Sequence, residues 1–331
     1  MKNLILHIGH SKCGSTSLQK FFGLNFQKKY ISRNGESFIY AEIGPNGKIL
    51  SKLSLDINGY MPMGSELKFD HPELKKILGS LEEKFEETDN LILSSEGWSN
   101  HNIITPYVKK AFESQSYKVK IFMVTRPQIE FLNSGWWQWG VWEYKLVENW
   151  VKSHSDNVNF LSRLNQWSII NNVEQINVCD ISQDIFKSFL KSYSIEVKEI
   201  SMPESSNIGT NIDLLRHIYN RKDFYRRTVH DPRIEFKLNE VLNLKRMDMP
   251  FVIDFDLSKK VLIKNQASNK SLIEMMKWPD KNLEQENIEK YLNVNYYESH
   301  NVEDIKDILK EDEGSKIFND KVIDLYEKFF Q

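Results

Sequence analysis

The sequence predicts an α/β fold with a central, mostly parallel sheet and a helical C-terminal part. Four short runs are almost continuously apolar: LILHI (4–8), NLILSS (90–95), VKIFMV (119–124) and INVCD (176–180). Runs of this kind mark strands covered on both faces, as crossover helices require in a parallel sheet. Helical patterns separate the four, and from about residue 200 onward helical patterns are all that is read. That order is one of βα units followed by helices.

The first run leads into a helix expected over residues 15–28. His71-Pro72 opens a polar amphipathic helix, ELKKILGSLEEKFEE, before the second run. Thr105-Pro106 starts PYVKKAFES before the third, with proline at the first helical position, where its missing N–H costs nothing. Residues 127–172 read as two or more helices leading to the fourth run. SMPESSNIGTN (201–211) is a loop, and 210–227, 233–245, 283–298, 302–310 and 319–330 read as helices packed on the core (1–200) within one domain (1–331). The chain shows no internal repeat and no low-complexity tract.

Composition narrows the function. Of 331 residues, 40% are hydrophobic and 12% aromatic, which is globular composition. The 44 basic and 46 acidic side chains give a net charge of −2, against bulk nucleic-acid binding but compatible with a local anion site. The two cysteines, Cys13 and Cys179, lack metal-ligand spacing and point to a reducing compartment. No signal-peptide core and no apolar run of roughly 20 residues is found, so a cytoplasmic protein without a transmembrane segment is expected.

The motif richest in chemistry follows the first strand: Gly9-His10-Ser11-Lys12-Cys13-Gly14-Ser15-Thr16-Ser17-Leu18-Gln19. In open α/β folds, ligands sit where strand carboxyl ends meet helix N-termini. The glycines permit a tight turn and close backbone approach. Amides from Gly14 to Ser17, the hydroxyls of Ser15, Thr16 and Ser17, and the Lys12 charge would converge on an anion. A tight turn with a serine-rich cap is the bland alternative. The lysine precedes the second glycine, so GxxxxGK[ST] is absent and ATP or GTP is disfavoured.

This segment resembles the 5′-phosphosulfate loop of the sulfotransferases that use 3′-phosphoadenosine 5′-phosphosulfate (PAPS), most closely that of bacterial members. Ser11 stands where proline is frequent, and Cys13 where a hydroxyl residue is usual. The resemblance implies a three-layer P-loop-type fold and a donor site made by Lys12, Cys13, Gly14, Ser15, Thr16 and Ser17. It also implies a 3′-phosphate site made by an arginine at a strand end and a serine eight residues later. VKIFMVTRPQIEFLNS supplies Arg126 and Ser134 at that spacing. The resemblance is weak over 30–85 and only patterned after 225. ESSNIGTNIDLLRHIYN (204–220) and residues 286–318 look like the loop and C-terminal helices of the same family.

Glu96 follows the second strand and is the expected general base toward an acceptor hydroxyl or amine. His10 stands second; His7 and His101 are further candidates, His7 as a residue that the strand would bury. Lys12 would neutralise charge on the leaving bridging oxygen, with no metal required. Trp136, Trp137, Trp139 and Trp142 read either as core or as a platform for a sugar ring or adenine, and Trp98 as a stacking candidate. The expected acceptor is a carbohydrate or glycolipid. A small-molecule P-loop kinase and a non-catalytic nucleotide-binding relative are the alternatives.

Overall fold

A computed structural model describes residues 2–44, 73–99, 103–197, 199–203, 211–225, 227–229, 233–244, 247, 249–300, 302–311 and 315–330. In chain order the elements are β1 (Asn3–His7), α1 (Ser15–Phe26), β2 (Tyr30–Ile31), β3 (Ser37–Tyr40), α2 (Glu73–Phe85) and β4 (Asn90–Ser94). A 3₁₀ turn (Glu96–Ser99), α3 (Pro106–Glu113), β5 (Lys118–Thr125) and α4 (Gln128–Gly135) follow. A π-turn (Trp136–Gly140) carries α4 into α5 (Val141–Glu143), then α6 (Val147–His154), α7 (Phe160–Ser168), β6 (Val173–Asp180) and α8 (Ile185–Ser192). The remainder is helical: α9 (Ile212–Asn220), α10 (Lys222–Tyr225), α11 (Arg233–Leu242), α12 (Phe255–Met275), α13 (Lys281–Leu292), a 3₁₀ turn (Tyr296–Ser299), α14 (Ile305–Ile308) and α15 (Lys316–Phe330).

The four expected strands are β1, β4, β5 and β6. They join β2 and β3 in one six-stranded sheet of order β2-β3-β4-β1-β5-β6. All neighbours are parallel except β2 and β3. β2 and β3 have two and four residues, too short for an apolar period to show in sequence. β1 lies between β4 and β5, with His7 opposite Ser94 on one side and Phe122 on the other. The chain leaves β1 toward one side of the sheet and later returns to the other, so a crevice opens at the carboxyl end of β1.

Side-chain alternation assigns the two faces. Phe122 meets Phe189 of α8 edge-on, and α1 reaches α8 through Phe21–Phe186 (4.9 Å) and Phe22–Phe189 (4.6 Å). Thr125, three residues after Phe122 and so on the opposite face, meets Tyr291 of α13 (Oγ1 to Oη 3.0 Å). Helices therefore cover both sides of the sheet, and the architecture is α/β with a mostly parallel sheet.

The longest helix among the described residues, α12, is absent from the helices the sequence predicts. Its buried positions include Ser258, Asn265 and Asn269 among Val261, Leu262, Leu272 and Ile273. Those polar residues blur the apolar stripe that would have announced the helix. The two asparagines are buried with their amides bonded, Asn265 Nδ2 to the Val261 carbonyl (2.9 Å). Asn269 Nδ2 donates to the Tyr291 carbonyl (2.8 Å) and to Gln128 Oε1 (3.0 Å), and Gln128 Nε2 donates back to Asn269 Oδ1. Tyr291 Oη donates to Asp180 Oδ2 (2.7 Å), and the Ser182 N–H donates to Asp180 Oδ1 (2.8 Å). Burial raises the Asp180 carboxyl above its ordinary range, with Ser182 and Tyr291 holding it down.

Asp180 is fully buried. Tyr291→Phe, which removes one donor from this carboxylate, is expected to destabilise the protein by about 1–3 kcal/mol. Chemical denaturation checks this, and an unchanged midpoint would refute the pinning role of Tyr291.

Candidate functional site

The segment from Gly9 to Gly14 crosses the crevice and turns around one carbonyl. The Cys13 N–H (3.2 Å) and the Ser15 hydroxyl (3.1 Å) both donate to the oxygen of His10. Gly14 (φ 81°) and Lys12 (φ 62°) both adopt the left-handed region. That is free for glycine and costs roughly 1–2 kcal/mol for lysine, so something must hold it. Arg126 does: its Nη1 donates to the Lys12 carbonyl at 3.2 Å, while its Nε is buried with no partner. The guanidinium that follows β5 is thus tied to the backbone of the loop that follows β1.

Gly9 is needed for space. A Cβ there would lie 2.2 Å from Ser15 Oγ and 2.8 Å from His7 Cε1. Gly14 is the N-cap of α1 and brings no capping side chain, so the first-turn amides lack the partner that a Ser or Asp cap would provide. Thr16 and Ser17 are partly exposed in that turn, and Ser15 is buried. Cys13 has a different role. Its side chain is fully buried in the core, its amide is taken by His10, and burial raises its thiol pKa. It is a core residue beneath the loop, and its side chain cannot reach a ligand.

Glu96 opens the 3₁₀ turn after β4 and is half-buried. Burial raises its carboxyl above the ordinary range, while the Lys12 cation and the Ser15 hydroxyl pull it down. Lys12, Ser15 and Glu96 are therefore electrostatic neighbours. The Lys12 ammonium also stands 5.7 Å from the ring centre of Trp139, a cation–π distance.

Other candidates separate by location. The His10 ring lies edge-on to Phe131 (4.6 Å) and Phe160 (5.3 Å), with 8% exposure, in the apolar backing of the loop. His7 is fully buried, with Nδ1 2.7 Å from Ser94 Oγ, and burial pushes its pKa down to about 3, so it stays neutral. His101, the His71-Pro72 helix start and 204–210 lie outside the described residues. Ser134 is partly exposed in α4 and shares no hydrogen bond with Arg126. Glu130, one turn before Ser134 on the same helix face, pairs with Lys290 (3.5 Å).

The tryptophans divide in two. Trp136 and Trp137 are core, and Trp137 Nε1 donates to the Pro250 carbonyl (2.8 Å). Trp139 and Trp142 are partly exposed, Trp142 beneath the Arg227 guanidinium at 4.5 Å. Trp98 is buried, which overturns the expectation that it stacks on a ligand.

Residues that sequence reasoning missed lie behind the site. Arg163 and Trp167 of α7 bind carbonyls of the Glu96 turn, yet an arginine in an amphipathic helix reads as a surface residue. Among the described residues no cluster of His, Cys, Asp and Glu is placed to hold a metal, and no helix is long and apolar enough to cross a membrane. Comparison of the chain with protein-family models and with curated proteins finds no match.

Because the Glu96 carboxyl is raised in the folded state, the native protein is destabilised as pH rises from 4.5 through that higher value. Glu96→Gln is expected to raise the melting temperature at neutral pH, and the gain is expected to vanish below pH 4.5. Melting curves across pH check both; a lower melting temperature at neutral pH would refute the burial cost at Glu96.

Proposed function

We propose that the protein is a sulfotransferase of P-loop type that moves a sulfuryl group from PAPS to a hydroxyl or amine of a carbohydrate or glycolipid. The observation that carries this reading is the bond from Arg126 Nη1 to the Lys12 carbonyl. It ties the Arg126 guanidinium, just after β5, to the backbone of the loop that follows β1, so that groups for two phosphates would lie in one crevice. ATP-type loops put their lysine after the second glycine, and this chain does not.

The residues present suit such a donor. Gly9 leaves room above Ser15, the α1 amides lack a side-chain cap, and Arg126 keeps a buried Nε without a partner. Gly14, Ser15, Thr16 and Ser17 would hold the 5′-phosphate through amides and hydroxyls. Arg126 would meet the 3′-phosphate, with Ser134 farther along α4. Glu130 beside Ser134 would repel that phosphate, and its pairing with Lys290 reduces the repulsion. The donor supplies an activated sulfuryl group, so the protein's part is positioning and charge stabilisation.

Lys12 would offset charge on the bridging oxygen. Glu96 would accept the acceptor proton, and a raised carboxyl is better suited to that work near neutral pH than an ordinary one. His10 ranks behind it, since its ring is packed against Phe131 and Phe160. Trp139, partly exposed beside Lys12, gives a sugar ring a face to stack on at the point of transfer.

Adenosine 3′,5′-bisphosphate without metal is expected to raise the melting temperature, because a ligand of the native state alone does so. Stabilisation by ATP with Mg²⁺ alone would overturn the reading in favour of a kinase. Lys12→Ala is expected to lower kcat by about 10²–10³-fold, the size of losing one transition-state charge partner. Glu96→Gln is expected to lower kcat by about 10²-fold or more while bisphosphate affinity holds. It should also remove the acid limb of the pH–rate profile, which in the native enzyme lies above pH 4.5. Arg126→Ala should abolish the preference for the bisphosphate over adenosine 5′-phosphate; a surviving preference would refute the 3′-phosphate assignment.

A further inference from the structure

The turn that bears Glu96 is short and begins where β4 ends, so its own hydrogen bonds do little to fix it. Within the turn, the Ser99 hydroxyl donates to the Glu96 carbonyl (2.9 Å) and the Gly97 N–H to Ser95 Oγ (3.3 Å). Further contacts come from α7, about 65 residues later in the chain. Arg163 Nη1 donates to the Ser99 carbonyl, and Trp167 Nε1 donates to the Trp98 carbonyl at 3.1 Å. The other Arg163 arm, Nη2, donates to the Asn157 carbonyl (3.1 Å) and Oδ1 (3.3 Å) at the foot of α7. Arg163 is 3% exposed, and among the described residues no carboxylate lies within ion-pair distance of it.

Burying a guanidinium without a counter-ion is costlier than burying an apolar side chain of similar length. Holding α7 against the sheet would be served as well by leucine or methionine. The guanidinium does what they cannot: it spans the Asn157 loop and the Ser99 carbonyl with a planar fork. The same helix face extends to the anion loop. Residues 160, 163 and 167 fall at i, i+3 and i+7, and Phe160 packs against His10. One face of α7 thus contacts both loops of the crevice.

We propose that α7, through Arg163 and Trp167, is the positioning element that holds the Glu96 turn in register with Lys12. Arg163 is a positioning residue; it acts on the reaction through Glu96. The inference deepens the sulfotransferase reading and rests on it for the identity of the reaction, though not for the clamp itself.

The test uses the full chain with Arg163→Met, which keeps side-chain length without hydrogen bonding, and Arg163→Lys as the conservative variant. Expected for Arg163→Met is a fall in kcat of about tenfold or more, with bisphosphate affinity and donor KM within about twofold of the parent. Arg163→Lys should recover part of the loss. In a Glu96→Gln background the same change should cost less than about twofold, because the residue it positions has lost its function. Losses that multiply in the double variant, or that appear equally in bisphosphate binding, would overturn the proposal.

Amide hydrogen exchange supplies a readout that needs no turnover. Residues 96–99 should exchange about tenfold faster or more in Arg163→Met, with β1 and α1 unchanged. If the parent transfers no sulfuryl group, the functional reading fails, while faster exchange at 96–99 still sustains the clamp. If exchange there is unchanged, the clamp is wrong whatever the reaction. If Arg163→Met does not fold, Arg163→Lys is put through the same exchange and double-variant measurements.

Discussion

The bond from Arg126 to the Lys12 carbonyl is the constraint on which the crevice depends. Lys12 occupies a backbone region that its side chain disfavours, and without an external donor the turn would relax and carry the ammonium away. The donor comes from the neighbouring strand, so loop conformation and charge placement are one interaction. The register of β1 with β5 therefore decides whether Arg126 can reach Lys12. It is set by ordinary apolar pairing, Leu6 with Ile121 and Leu4 with Val119. A slip of one residue would reverse both the core face and the reach of the guanidinium.

Distant helices keep that strand end in place. Thr125, next to Arg126, meets Tyr291 of α13, which binds Asp180 at the end of β6. Gln128, two residues beyond Arg126, exchanges hydrogen bonds with Asn269 of α12. The C-terminal helices thus brace the residues on either side of the arginine through polar contacts that are buried and mutually satisfied. Such networks specify one arrangement more sharply than apolar contact does, since any shift leaves a buried group unpaired.

The sequence made the sheet legible where strands are long and apolar, and silent where they are short. β1, β4, β5 and β6 were read to within a few residues, whereas β2 and β3 carry too few residues for a period. α12 escaped because buried asparagines stand where leucines would have marked a stripe. The placement of Lys12, Gly14, Ser15 and Glu96 at the sheet's carboxyl edge was legible because each lies in the segment that follows a strand. Cys13 was misassigned for a related reason: position in a motif says nothing of which side of the backbone a side chain takes. Arg163 and Trp167 were illegible, since their meaning arises only when α7 folds back on a turn about 65 residues earlier. The tryptophan run needed the π-turn, whose altered register sends 136 and 137 inward and leaves 139 and 142 partly open.

Four charged residues at the sheet's carboxyl edge fall in spatial order as Glu96, Lys12, Arg126 and Asp180, the first three after β4, β1 and β5 and the last at the end of β6. The two carboxylates at the ends of this row are both raised by burial, yet they do opposite work. Asp180 has its oxygens taken by Tyr291 and Ser182 and is closed to solvent, so it can only hold the fold together. Glu96 is half-exposed, and the influences that hold it down come from Lys12 and Ser15, the residues of the proposed donor loop. A carboxylate whose stabilisation depends on the groups that would bind the substrate is one whose proton affinity changes when they do. Its cation would be drawn toward an arriving anion, and the carboxylate, released from that cation, would become a stronger base as the site fills.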